Sequence, residues 1–370
     1  TGLNTKDYVA PTSFVFKEGK TFQMGNTMGA VSYLQILAPE LTDKMLAELL
    51  AVDGSDLTLP YNPKENNVIA DNHVSTLHLN ALYDVCNKRF LDVVIQQALK
   101  ENEYDTACQL VDRISEKHPV ILLADRGFEN YNLFAHVEER LFDYVIRVKD
   151  ITSNGILSGL ELPDAPEFDV TKRIVITRHS TGPAAIMPGV YKYFSKKYRF
   201  DYIENSKCPD YEMHIRFVRF QLSETNYEVL ATSLPEETFS VMDLKELYQL
   251  RWGIETGFRE LKYILGLAAF HSKKENSILQ EVFARLIMYN FSMCIIQKVS
   301  IKEKDRSHQL QVNFTQATKI CLNFFKHRGN EPPYNIETTI QRFLLPIRPN
   351  RKRLRVTVGT CVVPFNYRLA

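Results

Sequence analysis

A chain of 370 residues exceeds one average domain and can bury a large core, so one elaborated domain or two are expected. Its 45 Lys and Arg against 44 Asp and Glu leave a net charge of only +1, so total charge makes no case for a nucleic-acid partner. Six cysteines without a C-x-x-C pair argue against a zinc ribbon and suit reduced thiols; no apolar stretch reaches membrane-spanning length, and the start carries no basic-then-apolar signal, so a soluble, cytoplasmic protein is expected.

Residues 1–45 read as a polar, Gly-containing opening followed by helix over 29–37 and 41–49. A strand then runs to Asp53, two more cover 77–85 and 90–95, and a helix covers 101–114. The run Val120, Ile121, Leu122, Leu123, Ala124, bounded by Pro119 and Gly127, is a clear buried strand ending at Asp125. A helix over 130–140 and the strand FDYVIRV follow. Three antiparallel strands followed by helix and strand alternation is the order expected of a ribonuclease H-like mixed α/β sheet. The stretch 151–236 breaks the rhythm with no strong helix, and RFVRFQL and YEVLATSL flank SETN as a hairpin, so a largely β insertion is expected there.

The segment YQLRWGIETGFRELK, 248–262, is the most informative. At about 100° per residue, Tyr248, Arg251, Glu255 and Lys262 fall within roughly 60° of one another, beside an apolar arc of Leu247, Leu250, Ile254, Phe258, Leu261 and Leu265. Ser240 and Asp243 after Pro235 form an S-x-x-D start signal, so one helix with a buried face beside a polar stripe is expected. Arg and Lys suit phosphate, a Tyr hydroxyl can position a phosphate oxygen, and a Glu among them can hold a divalent cation against the same group. An exposed face laced with i,i+4 ion pairs such as Arg251 with Glu255 is the plainer alternative.

Asp53 and Asp125 each follow an apolar run. Alone, each reads as a turn former in Asp-Gly or Asp-Arg-Gly. With Glu255 they make a sensible oxygen ligand set for two Mg²⁺ ions, so Asp53, Asp125 and Glu255 are the candidate catalytic and metal-binding residues. A second apolar helix covers about 277–299. From Gln341 to Ala370 there are seven Arg or Lys and no Asp or Glu, a local excess that suits a phosphate backbone or a solvated tail. His78 and His118, among nine His without metal spacing, read as structural.

The spacing Y-x2-R-x3-E-x6-K, met by Tyr248, Arg251, Glu255 and Lys262, resembles the signature of the DDE transposases of the insertion sequence 4 family. AVDGS and ADRGFENYNLFAH resemble that family's first and second Asp motifs, and HLNALYDV, FHSKK, QEVFARLIMYNFS and the RPNRKR tail extend the likeness from Asp53 to Ala370. The resemblance implies a ribonuclease H-like fold and an Mg²⁺-dependent (or Mn²⁺-dependent) transposase that cuts and joins phosphodiesters by a two-metal mechanism. Its partners would be double-stranded DNA at transposon ends and target DNA, bound by a homodimer, with no membrane partner, in a bacterial cytoplasm and on the nucleoid when bound. Tyr248, Arg251, Lys262, Lys273, Lys274, Arg351, Lys352, Arg353 and Arg355 would then contact DNA.

The expected divisions are 1–45, 46–150 and 237–300 as the two parts of the core, 151–236 as the insertion, and 301–370 as a basic C-terminal region. The stretch before Asp53 is short for this family, so part of its DNA-binding region is expected to be missing. A transposition-deficient DNA-binding descendant and a plain metal-dependent nuclease are the alternatives.

Overall fold

A computed structural model of the chain describes residues 16–17, 20–21, 47–59, 68–69, 74–97, 102–115, 119–187, 189–203, 210–224, 226–301, 308–326 and 335–347. The helix expected over 29–37, most of that over 41–49, and the cluster Arg351, Lys352, Arg353 and Arg355 lie outside these residues.

A ten-stranded mixed sheet dominates the fold. Three long strands, β1 (Glu48–Leu59), β2 (Val74–Asp84) and β3 (Arg89–Gln97), are antiparallel neighbours in the order β1-β2-β3, and the two-residue strand Val68–Ile69 also pairs with β2. Helix α1 (Glu103–Arg113) then crosses to β4 (Val120–Ala124), and α2 (Tyr131–Glu139) crosses to β5 (Asp143–Val148). Strand β4 lies parallel to both β1 and β5, so the central order is β3-β2-β1-β4-β5. Crossover helices are what parallel pairing requires, and the strands buried on both faces accordingly read as continuous apolar runs.

The strands of 151–236 extend this same sheet. These are β6 (Phe168–Thr177), β7 (Tyr191–Tyr193), β8 (Asp210–Ser223) and β9 (Asn226–Thr232), with β9 antiparallel to β5 and the β8–β9 hairpin closing at SETN. The sheet therefore has one long axis, and its two faces carry separate cores. On one face Leu49, Ala51, Leu79, Ala81, Ile121, Leu123 and Val145 pack beneath α3 (Val241–Leu250), α4 (Trp252–Tyr263) and α5 (Glu275–Ile296). On the other, Leu50, Val52, Leu82, Leu122 and Ala124 pack beneath α1 and α2. Alternation along β1 and β4 divides these sets.

Four expectations change. Glu48 and Leu49, placed at the end of a helix, begin β1. Asp53 and Gly54 do not turn the chain, because β2 pairs with β1 through Leu59, opposite Ser75. The single helix expected around Arg251 is two segments, for Arg251 N–H donates to Tyr248 O and Ile254 N–H to Arg251 O, three-residue steps that tighten the joint. Finally, the 22-residue α5 is long and apolar enough to cross a membrane, against the sequence expectation; here Ile278, Val282, Leu286, Tyr289 and Met293 are buried in the first core.

Candidate functional site

The parallel ladder between β1 and β4 ends at the pair Val52↔Ala124, so Asp53 and Asp125 are the next residue on each of two adjacent strands. By alternation both continue the rows Leu49–Ala51 and Ile121–Leu123, which face α3 and α4. Chain direction explains the convergence: parallel neighbours leave their ladder side by side. Asp53 Oδ1 accepts from Gly54 N–H at 2.9 Å, and Asp125 Oδ1 accepts from Gly127 N–H at 2.6 Å as the N-cap of a short 3-10 turn, Arg126–Phe128.

The helical side is set by a capping box. Ser240 Oγ accepts from Asp243 N–H while Asp243 accepts from Ser240 N–H, which fixes the start of α3. Leu244 and Leu247 on α3 and Ile254, Phe258 and Leu261 on α4 sink into the core and leave the polar stripe beside the sheet. Each fully buried side chain of this kind contributes about 1.5–3 kcal/mol. The Arg251–Glu255 pair, 2.8 Å apart with Glu255 about a third exposed, contributes at most about 1 kcal/mol, so helix stability gives it little reason to exist.

Burial lifts the Asp53 carboxyl from 3.8 to about 6; Gly54 N–H and Arg251 pull it down, and Asp125 and Glu255 push it up. The three carboxylates and Arg251 thus share one electrostatic neighbourhood. Tyr248 belongs to it as well: burial raises its phenol, Arg251 opposes the rise, and Asp125 adds to it. The Arg251 guanidinium lies 5.5 Å from the Tyr248 ring centre and 5.2 Å from that of Trp252. Tyr248 Oη and Arg251 Nε are buried without a hydrogen-bond partner.

Other expected residues lie farther off. Lys262, two helical turns beyond Glu255, has its ammonium depressed by burial and is countered by Asp56 rather than by the three carboxylates. Lys273 and Lys274 are exposed at the start of α5, with Lys274 as its N-cap. The sequence reading missed Arg147 and Glu228, paired at 2.9 Å across β5 and β9. Both act electrostatically on Tyr248. The available signal was alternation: Arg147 lies two residues past Val145, and Glu228 two before Leu230, on the face of the first core.

Among the described residues no three His, Cys, Asp or Glu side chains close around a common point. Each candidate carboxylate is instead held by its own neighbour: Gly54 N–H, Gly127 N–H or Arg251. The donor set still suits a hard divalent cation, since it consists of carboxylate oxygens alone and their mutual repulsion, felt at Asp53, is what a cation would relieve.

The middle of one strand, the end of its parallel neighbour and one helix therefore place three carboxylates in one electrostatic neighbourhood with a guanidinium and a phenol. Residues 44–291 match the family described as Transposase DDE domain, and the chain belongs to that family. Over 66 residues the chain is 36% identical to the putative transposase InsL for insertion sequence element IS186A of Escherichia coli (strain K12). The same identity and length hold against the transposase for insertion sequence element IS421 of Escherichia coli. Each match spans 18% of this chain and 18% of the relative. Among solved structures, a piggyBac transposase synaptic complex with hairpin DNA aligns over 87% of this chain and 64% of its own at a TM-score of 0.42 and 11% identity, a distant likeness.

Proposed function

We propose that the protein is a transposase of the insertion sequence 4 type, with Asp53, Asp125 and Glu255 as its catalytic carboxylates on a ribonuclease H-like core. The observation that carries this reading is that Asp53 and Asp125, 72 residues apart, leave one parallel ladder side by side on the face that packs beneath the helix carrying Glu255, a further 130 residues on. Residues 46–150 and 237–300 are the two parts of the core in this reading, 151–236 the β insertion that widens the sheet, and 301–370 a basic region. Two transposon ends would be paired by two protomers.

Asp53, Asp125 and Glu255 would hold Mg²⁺ or Mn²⁺, whose chemistry when bound is to activate water and neutralise charge on the scissile phosphate. The chain's own residues do the rest. Arg251 supplies a planar donor fork to a phosphate and keeps Glu255 in place. Tyr248 offers its unpartnered hydroxyl to a phosphate oxygen. Lys262, Lys273 and Lys274, with Arg351, Lys352, Arg353 and Arg355, grip more distant backbone. Cleavage at an end frees a 3′-hydroxyl, which then attacks target DNA.

Incubation with Mg²⁺ and DNA carrying the element's own termini, followed by mapping of nicks, tests the reading. Nicks at the termini that vanish in Asp53→Asn and Asp125→Asn are expected. Cleavage indifferent to terminal sequence would instead make the protein a plain nuclease, and specific binding without cleavage a transposition-deficient descendant.

A further inference from the structure

Beneath the two aspartates, on the α1 face of the sheet, lies a second polar cluster. His78 is only 5% exposed, with Nδ1 2.8 Å from Asp56 Oδ1 and Nε2 3.0 Å from Glu103 Oε1. Asp56 and His78 are register partners across β1 and β2, whereas Glu103 opens α1 behind the N-cap Asn102. Nδ1 is hydrogen-bonded to Asp56, whereas Nε2 lies at ion-pair distance from Glu103 without a hydrogen bond to it, so the imidazole packs the first turn of α1 against the β1–β2 ladder.

The cluster sits against Gly54, whose N–H donates to Asp53. A Cβ on Gly54 would collide with His78 Nε2 and come within 2.6 Å of Glu103 Oε1, so the pair fills the space that any side chain at 54 would need. A Cβ on Gly127 would lie 3.0 Å from Asp125 Oδ1 and 3.9 Å from Glu103 Oε2. Glu103 Oε1 thus stands against the glycine whose N–H donates to Asp53, whereas Oε2 leaves room for a methyl group beside Gly127. Moving Gly54 moves the carboxylate hydrogen-bonded to it. Asn80, opposite Gly54 and 1% exposed, has no hydrogen-bond partner on either amide atom, so this layer is not built as a self-satisfied structural network.

We propose that Glu103, packed against His78, is a positioning residue that sets the place of Asp53 beside Asp125 by abutting Gly54. The inference rests on the site assigned under Proposed function. In this inference Glu103 acts through its reach, with Oε1 standing against Gly54 and the His78 imidazole.

Binding of Mn²⁺ to the full chain without DNA, counted from the electron paramagnetic resonance signal of free Mn²⁺, tests this independently of activity. Loss of an outer-shell partner typically weakens metal affinity 10–100-fold, so Glu103→Ala is expected to bind at least about tenfold more weakly. Glu103→Gln keeps the length and an oxygen acceptor, and its binding is expected to stay near that of the unaltered protein. Glu103→Asp keeps the charge but withdraws from Gly54, and is expected to behave like the Ala variant. The Gln and Asp variants decide the matter even where Glu103→Ala fails to fold. Binding unchanged in Glu103→Asp, or weakened in Glu103→Gln, rejects the inference while dependence on Asp53 and Asp125 leaves the proposed site standing. Binding indifferent to both Asp53→Asn and Asp125→Asn rejects the site itself and the inference with it.

Discussion

Glu255 is held by Arg251 at 2.8 Å and helps to raise the Asp53 carboxyl, so its charge acts on the acidic centre more than on the fold. Glu255→Gln keeps the size and an oxygen to accept from Arg251. Cleavage is expected to fall by about 100-fold or more, at the upper end of what weakened metal binding costs, while metal-free DNA affinity in gel shifts stays within about twofold. Loss of binding with cleavage per bound complex unchanged would refute the role. Tyr248 permits a cleaner separation of fold from function. Its hydroxyl is buried without a hydrogen-bond partner, so Tyr248→Phe removes a group that stabilises nothing visible in the protein. Denaturant unfolding should show stability unchanged or raised, by up to about 1–3 kcal/mol, because an unsatisfied buried hydroxyl is removed. DNA affinity should nevertheless drop several-fold if the hydroxyl positions a phosphate; unchanged affinity and cleavage would reduce Tyr248 to a core aromatic.

At the scale of elements, signals carried by neighbouring residues were the legible ones. The Ser240–Asp243 box marks the start of α3 correctly because both partners lie within one turn. The apolar run 120–124 reads as a buried strand because its length, its β-branched content and its Pro and Gly bounds agree. What the sequence hid was set by pairing across the fold. Asp53-Gly54 has turn chemistry, yet β2 supplies partners on both sides of it and carries β1 on to Leu59. The acidic and polar residues on the helix stripe were visible as a pattern, and alternation places Arg147 and Glu228 on the face of the first core without naming the helix they meet, whereas nothing local brings Glu103 to Gly54. Ser240→Ala removes one half of the capping box, and about 1 kcal/mol of stability should go with it. Equilibrium denaturation measures that loss. A shift near zero would mean that burial of Leu244 and Leu247 alone fixes α3, and that the box does not register the stripe against the sheet.

For the whole molecule, buried acids set the response to pH and the distribution of basic residues sets the response to salt. Burial lifts Asp84 from 3.8 to about 7, opposed by Asn87 N–H and Arg89, and burial lifts Glu138 from 4.5 to about 7. The folded state therefore keeps protons that the unfolded chain releases, and these groups' stability contribution, complete below about pH 4, is lost as pH rises through about 7. Unfolding free energy should decline over that window, and Asp84→Asn, whose amide oxygen can still accept from Asn87, should flatten the decline; an identical slope in the variant would remove Asp84 from the account. Salt dependence tests the opposite end of the chain. A net charge of +1 hides the excess of Arg and Lys after Gln341, which only position along the sequence reveals. Arg351, Lys352, Arg353 and Arg355 fall outside the described residues, so their proposed grip on DNA rests on that excess alone. Each phosphate neutralised contributes about −0.9 to the slope of log affinity against log salt, so replacing all four by Ala should flatten the slope by up to roughly 3.6. Terminal and random DNA should weaken together, because backbone contacts carry no sequence information. If low-salt affinity and its slope both keep their unaltered values, the tail is a solvated surface and the distant grip must be sought at Lys273 and Lys274, exposed at the head of α5.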